Sequence, residues 1–376
     1  MPAGLQSEGH QPMVHLSTSE CAGQVIVAGF GAGDPPEALC ELARAGKLGG
    51  FVLFRRNLGA PAQIAELTLA LTSLAPADRP LWMSVDQEGG RVARLGPPVV
   101  TLPPMRVLGE IDDPTLTRDA ALVLGRQLRL LGFNLDFAPV LDVDTNPDNP
   151  VIGDRSFGRE AERVIVHGRA FAAGLESAGV AACGKHFPGH GDTHVDSHFA
   201  LPRLMHARER LDRVELAPFT ALLPELPNLM TAHVLFDALD PARPATLSPK
   251  IIRELLRGEL GYGGVIWSDD LEMKAISEQC GVDEAACAAI AAGCDSVLIC
   301  SNTEQVLAAQ RALSARAERE PDFAERLRDA AMRSLSARMD RSAQPAAGAL
   351  VEQLLGAQGA AAIETRIARA RVGVAH

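Results

Sequence analysis

Eight short runs of apolar and β-branched residues recur along the chain, at 24–30, 50–54, 81–87, 133–143, 180–187, 228–236, 264–270 and 296–300. Most are continuous rather than alternating, which is the pattern of strands covered on both faces of a parallel sheet. Between them the apolar positions change to a helical period, over 36–45, 61–74, 114–131, 160–178, 207–223, 249–260 and 271–292, with a further helical stretch from Thr303. Strand and helix alternate with no linker-like break before residue 300. That predicts one α/β domain, a single (β/α)8 barrel of the TIM type, rather than two doubly wound halves.

After residue 342 the composition shifts to Ala, Gly and Gln and ends in a stretch carrying Arg366, Arg369 and Arg371. The expected division is therefore an N-terminal extension at 1–21, the barrel at 22–341, and an Ala-rich terminal helix or tail at 342–376. With 47% hydrophobic and 22% charged residues over 376 positions, the chain can bury a large core. Its formal charge of −11, from 36 Lys+Arg against 47 Asp+Glu, opposes nucleic acid or an anionic membrane as partner. No run approaches the ~18 apolar residues of a membrane span, and the first residues lack a basic region followed by an apolar one. A cytoplasmic protein is expected. The seven cysteines are an odd count without a CxxC pair, which fits reduced thiols. Cys280, Cys287 and Cys294 repeat every seven residues and are expected as buried small side chains on one helix face.

In such a barrel the active site forms where strands end, and there the polar residues gather. The third run ends at Asp86; the fourth leads through Asp142 and Asp144 to Arg155; the fifth runs into Lys185–His198; the sixth ends near His233; the seventh ends at Asp269 and Asp270. His186, His190, His194 and His198 are spaced four apart, but Pro188, Gly189 and Gly191 break any helix that would align them, and HExxH is absent, so no metal is expected. Asp196 and His198 are two residues apart, either as a carboxylate orienting a general acid/base or as an exposed loop His with an accidental acidic neighbour. Asp269 would project from a strand end, where a carboxylate can bind a cation, act as a base or attack carbon; one of the two adjacent aspartates is expected to cap the next helix. The glycines at 29–33 and 89–90 complete neither nucleotide-binding fingerprint.

The string Lys185-His186-Phe187-Pro188-Gly189-His190-Gly191, followed by Asp196-Ser197-His198, resembles the signature of family 3 glycoside hydrolases of the bacterial β-N-acetylglucosaminidase (NagZ-like) branch. SVDQEGGRVAR, FAPVLDV with VIGDRSFG, MTAHVLF and WSDDLEMKAI stand in the family's order over roughly residues 22 to 300. The resemblance implies a (β/α)8 barrel, retention of anomeric configuration and a covalent glycosyl-enzyme, without cofactor or metal. By motif it makes Asp269 the nucleophile and His198 the general acid/base with Asp196 as dyad partner. It assigns Asp86, Arg94, Arg155, Lys185 and His186 to the sugar. The acid/base would ride on a loop to which Gly189 and Gly191 give freedom. The implied substrate is a small sugar, the terminal GlcNAc of GlcNAc-1,6-anhydro-MurNAc and its peptides in cell-wall recycling. A β-glucosidase of the same family, an inactive sugar-binding barrel and a metal-dependent hydrolase are the alternatives.

Overall fold

The computed structural model describes residues 15–197, 199–339, 341 and 345–374. Eight parallel strands close into a barrel: β1 (Ile26–Ala28), β2 (Gly50–Val52), β3 (Trp82–Val85), β4 (Leu135–Asp136), β5 (Ala181–Phe187), β6 (Asn228–Thr231), β7 (Val265–Asp270) and β8 (Ser296–Ile299). Each strand pairs with its neighbours in chain order, and β8 closes on β1 with Ile26 opposite Val297. Every apolar run of the sequence thus contributes one barrel strand, and the (β/α)8 expectation holds.

Inward-facing side chains fill the barrel as a packed plug rather than a pore. Val27, Val52, Trp82, Leu135, Phe137, Cys183, Met230, Val265, Trp267 and Leu298 form this inner cluster. The Trp267 ring meets Trp82 edge-on at 5.9 Å and Phe137 at 5.4 Å between centroids. Both indole N–H groups are satisfied, Trp82 donating to Ser334 Oγ at 3.3 Å and Trp267 to Asn228 Oδ1 at 3.0 Å. Because strand side chains alternate, the next inward position along a strand stands above the plug at the carboxyl end. Lys185 follows Cys183 in this way, and Asp269 follows Trp267.

Two irregularities in register fall on those positions. Between Trp267 and Asp270, β7 holds one residue more than the facing stretch of β8, and the Leu298 N–H donates to Ser268 Oγ at 3.0 Å. Between Gly184 and Phe187, β5 likewise exceeds β6 by one residue. Bulges of this kind re-aim side chains, and here they lie at Ser268–Asp269 and Lys185–His186.

The outer helices follow the predicted periods with two departures. The expected helix at 207–223 is two short ones, Arg208–Arg213 and Ala217–Leu222, because Val214 leaves helical geometry and Pro218 starts the second. The expected helix at 271–292 starts late, as Lys274–Ser277 and then Val282–Ala292. Of the three heptad-spaced cysteines only Cys287 lies on a helix, so they do not share one face; all seven thiols are free. The fourth predicted strand shrinks to two residues, although Val140 still bridges to Lys185 and the Leu141 N–H donates to the Lys185 carbonyl at 2.6 Å before the chain turns polar at Asp142.

Helix Thr18–Gln24 straddles residue 21, opens with a capping box between Ser17 and Glu20, and packs on Thr303–Arg319 and Pro321–Met339. Toward the other terminus Gly348–Gly356 packs on Pro61–Thr72, and Ala360–Val374 packs on Pro114–Leu130, burying Val351, Leu355, Ile363 and Ile367. No described helix is long and apolar enough to cross a membrane.

Candidate active site

The βα loops enclose a cavity of about 160 Å³ at the carboxyl ends of the strands. Asp86, Arg94, Arg155, Lys185, His186 and Asp269, six of the eight residues singled out from sequence, line it together. Asp196 does not; its neighbour Ser197 does. His198 lies outside the described residues.

One wall is an alternating array of charge. Lys185 Nζ donates to Asp86 Oδ1 at 2.9 Å and lies 2.6 Å from Glu88 Oε1. Arg94 Nη2 donates to Asp86 Oδ2 at 3.2 Å. Arg155 grips Glu88 with both arms of its fork, Nε to Oε2 at 2.9 Å and Nη2 to Oε1 at 2.8 Å. Burial alone would push both carboxyls up. Lys185 and Arg94 outweigh it at Asp86, and Arg155 and Lys185 do so at Glu88, so both are held below the usual carboxylate range. Burial likewise opposes the Lys185 charge, but Asp86 and Glu88 more than restore it, and the ammonium is held more firmly than in water. A sugar entering here meets fixed donors and acceptors instead of groups that must first be charged.

Behind this wall Asp142, fully buried, serves two histidines. Its Oδ2 accepts from His186 Nδ1 at 2.6 Å, and its Oδ1 accepts the His190 backbone N–H at 2.6 Å. With Nδ1 donating to a carboxylate, the Nε2 edge of His186 is left toward the cavity and Arg155, 3.5 Å away. His190 reaches Thr193 Oγ1 at 2.7 Å and Ser197 Oγ at 3.1 Å. Burial, then the neighbouring His186, pushes its imidazole down to about 4, so it is neutral at physiological pH.

The loop that follows β5 is pinned at its start. A Cβ on Gly191 would lie 1.9 Å from the Val143 carbonyl oxygen, and one on Gly189, at φ +134°, would lie 2.9 Å from Glu215 Cβ. Close approach to the Val143 backbone and the Glu215 side chain is what these glycines permit here, as a tightly turned connection requires. Asn146 Nδ2 donates to the Thr193 carbonyl at 2.9 Å, and Asn149 Nδ2 to that of His190 at 2.9 Å. Farther along, the Ser197 carbonyl accepts from Ala275 N–H at 3.2 Å.

Asp269 stands at the floor, open to the cavity on one side and enclosed by protein elsewhere. Burial raises its carboxyl, but His233, His186, the Asp270 amide and Lys185 together hold it below the usual range, ionised and ready to act as an anion. His233 Nε2 lies 2.9 Å from the Asp270 carbonyl oxygen, so Nε2 carries a hydrogen. Asp270 also borders the cavity, and its Oδ1 accepts from Glu272 N–H at 3.0 Å; neither aspartate caps the next helix, whose N-cap is Met273. Glu88, Asp142 and His190 were not singled out as site residues from sequence; Glu88 stands two residues after Asp86, on the same face of an extended stretch, which is the signal that could have found it. Among the described residues no group of three His, Cys, Asp or Glu is arranged to hold a metal ion.

The chain matches the model of the glycosyl hydrolase family 3 N terminal domain over residues 18–333. A beta-hexosaminidase of Alkalilimnicola ehrlichii is 44% identical over 274 residues, covering 71% of this chain and 78% of that one. A beta-hexosaminidase of Pseudomonas aeruginosa is 39% identical over 291 residues, covering 77% and 86%. Among solved structures, a glycoside hydrolase family 3 beta-N-acetylglucosaminidase from Paenibacillus sp. superposes with a TM-score of 0.84 at 43% identity, over 92% of this chain and 68% of that one. NagZ from Neisseria gonorrhoeae, in complex with N-trifluoroacetyl-D-glucosamine, superposes with a TM-score of 0.75 at 30% identity, over 93% and 98%.

Proposed function

This chain belongs to glycosyl hydrolase family 3, and from that footing we propose that it is a retaining exo-β-N-acetylglucosaminidase that removes non-reducing terminal GlcNAc from muropeptides in peptidoglycan recycling. The observation that carries the reading is the ionised Asp269 at the floor of the cavity in the barrel mouth, faced by the Asp86–Lys185–Glu88–Arg155 array. The enzyme class is that of its beta-hexosaminidase relatives.

In the proposed mechanism the Asp269 carboxylate attacks the anomeric carbon while His198, oriented by Asp196, gives its proton to the departing glycosidic oxygen. The C–O bond to the leaving group breaks and an ester to Asp269 forms with inverted configuration. His198 then takes a proton from water, which attacks the same carbon and releases Asp269; the second inversion restores the configuration. Asp86, Arg94, Arg155, Lys185 and His186 hold the ring hydroxyls throughout. Residues 22–341 form the catalytic unit in this reading. Free thiols at all seven cysteines support a reducing compartment, the cytoplasm.

The test is release of nitrophenol from the aryl β-N-acetylglucosaminide beside the aryl β-glucoside, with Asp269→Ala protein as blank. Selectivity for the acetamido sugar that vanishes in the variant supports the proposal. Preference for the glucoside makes the protein a β-glucosidase, and no turnover of either leaves a sugar-binding barrel.

A further inference from the structure

Glu88 sits on a short strand, Gln87–Gly89, that continues from β3 and folds back on Val92–Ala93. Its side chain is 1% exposed, that of Lys185 3% and that of Arg155 11%. The backbone around it is fixed from several sides. The Gln87 N–H donates to Asp136 Oδ1 at 2.9 Å, Gln87 Oε1 accepts from the Arg94 and Leu95 N–H groups at 2.8 and 2.9 Å, and Gly89 and Gly90 turn the chain with φ of +106° and +54°. Within that frame one carboxylate takes three charge-assisted contacts, two from the Arg155 fork and one from the Lys185 ammonium.

The donors can be followed atom by atom. An ammonium has three N–H bonds. Lys185 spends one on Asp86 and one on Glu88, which leaves one for a ligand. A guanidinium has five. Arg155 gives Nε and one Nη2 hydrogen to Glu88, Nη1 reaches the Val151 carbonyl at 3.2 Å, and the other Nη2 hydrogen faces His186. Without Glu88 both cations would lose the partner that sets their rotation, which would leave Lys185 to Asp86 and Arg155 between Asp142 and Asp86.

We propose that Glu88 is a positioning residue for sugar recognition: by clamping Arg155 and Lys185 together it aims the spare N–H of each at the ring hydroxyls, while its own carboxylate is consumed by the two cations. The inference rests on the reading that Arg155 and Lys185 hold the sugar, and it goes beyond it by naming the group that makes them able to.

The experiment compares wild type, Glu88→Gln and Glu88→Asp for turnover of the aryl β-N-acetylglucosaminide and, by calorimetry, for binding of N-acetylglucosamine itself, with melting temperature recorded for each. Glutamine keeps the shape but turns an N–H₂ toward a cation. KM and the dissociation constant for the free sugar should both rise about tenfold or more in Glu88→Gln, with kcat reduced no more than about threefold, since ground-state and transition-state contacts are lost alike. Glu88→Asp, which keeps the charge and shortens the reach, should recover part of the affinity, and it carries the test if the glutamine variant does not fold. A lower melting temperature with affinity within about twofold of wild type would reduce Glu88 to a structural ion pair and overturn the proposal. So would a kcat loss as deep as that of Asp269→Ala at unchanged KM. If wild type binds the sugar without turning over the glycoside, the hydrolase reading fails while calorimetry still decides Glu88; if wild type binds no sugar, the positioning role fails too.

Discussion

The backbone N–H of Asp270 donates to Oδ1 of Asp269 at 2.8 Å, so the second of two adjacent aspartates helps to keep the first ionised. Asp270 itself is shifted the other way. Burial pushes its carboxyl up to about 7, against the N–H groups of Glu272 at 3.0 Å and Cys300 at 3.3 Å. Of the two neighbours Asp269 is therefore the one held firmly as an anion, while burial draws Asp270 toward its protonated form. Asp269→Asn should lower kcat by about a thousandfold or more, and azide should restore turnover to a glycosyl azide of inverted configuration, read by NMR. Asp270→Asn should keep kcat within about tenfold of wild type, because the amide oxygen can still accept from the loop. Equal losses in the two variants would contradict the assignment.

A second carboxyl below the site gives a stability signature. Asp136 is fully buried, its Oδ1 accepts from Gln87 N–H, and its Oδ2 has no partner among the described residues. Burial pushes it up to about 8 from an ordinary 3.8. The folded protein thus holds a proton that the unfolded chain has released between those values, and stability falls as pH rises from 4 toward 8. Asp136→Asn copies the protonated acid and cannot ionise. It should melt close to wild type near pH 4 and above it at pH 8, by an amount on the order of 2 kcal/mol after allowance for relaxation of the site. Thermal melts across that range check it; a difference independent of pH would mean Asp136 is ionised in the fold.

Much of this was legible in the sequence, for a physical reason. A strand buried on both faces must be apolar throughout, so Val265, Ile266 and Trp267 announce β7, and the first polar residues after them announce the mouth. Asp86, Lys185 and Asp269 are found that way, without any contact being known. Less legible was whatever depends on who meets whom. Glu88 reads as one more acid in a polar turn until Arg155, 67 residues on, closes over it. Asp142 reads as a strand-end acid until His186 and His190 turn both its oxygens inward. Gly189 and Gly191 read as loop punctuation, whereas Val143 and Glu215 show that they are contact surfaces. Helix ends failed similarly: the period of 207–223 carries through Val214, but the Pro218 ring starts a new helix there.

The contact at Gly191 makes a prediction of its own. A methyl placed there would sit 1.9 Å from the Val143 oxygen, nearer than atoms can approach, so the first turn of the β5 loop must move. That turn is tied through His190 to Ser197, which lines the cavity. Gly191→Ala should therefore lower kcat/KM by about tenfold or more and also lower the melting temperature, as overpacking does. Wild-type kinetics in a fully folded Gly191→Ala protein would mean that the turn tolerates displacement without disturbing the site.

The acid/base assignment rests on motif, and leaving-group chemistry can test it without any view of the loop. A nitrophenolate departs readily without a proton, whereas a sugar alkoxide needs one in the transition state. Removing the acid should therefore cost the natural type of substrate far more than the activated one. His198→Ala should lose about a hundredfold or more on a disaccharide and much less on the nitrophenyl glycoside, for which hydrolysis of the glycosyl-enzyme, now lacking its base, becomes limiting. Azide needs no deprotonation, so it should accelerate that second step and yield a glycosyl azide of retained configuration, opposite to the azide product of Asp269→Asn. Asp196→Ala should move both substrates in the same order but less, since the imidazole remains and only its orientation and basicity change. If His198→Ala loses equally on both substrates and azide does nothing, the proton comes from another group and the acid/base assignment fails.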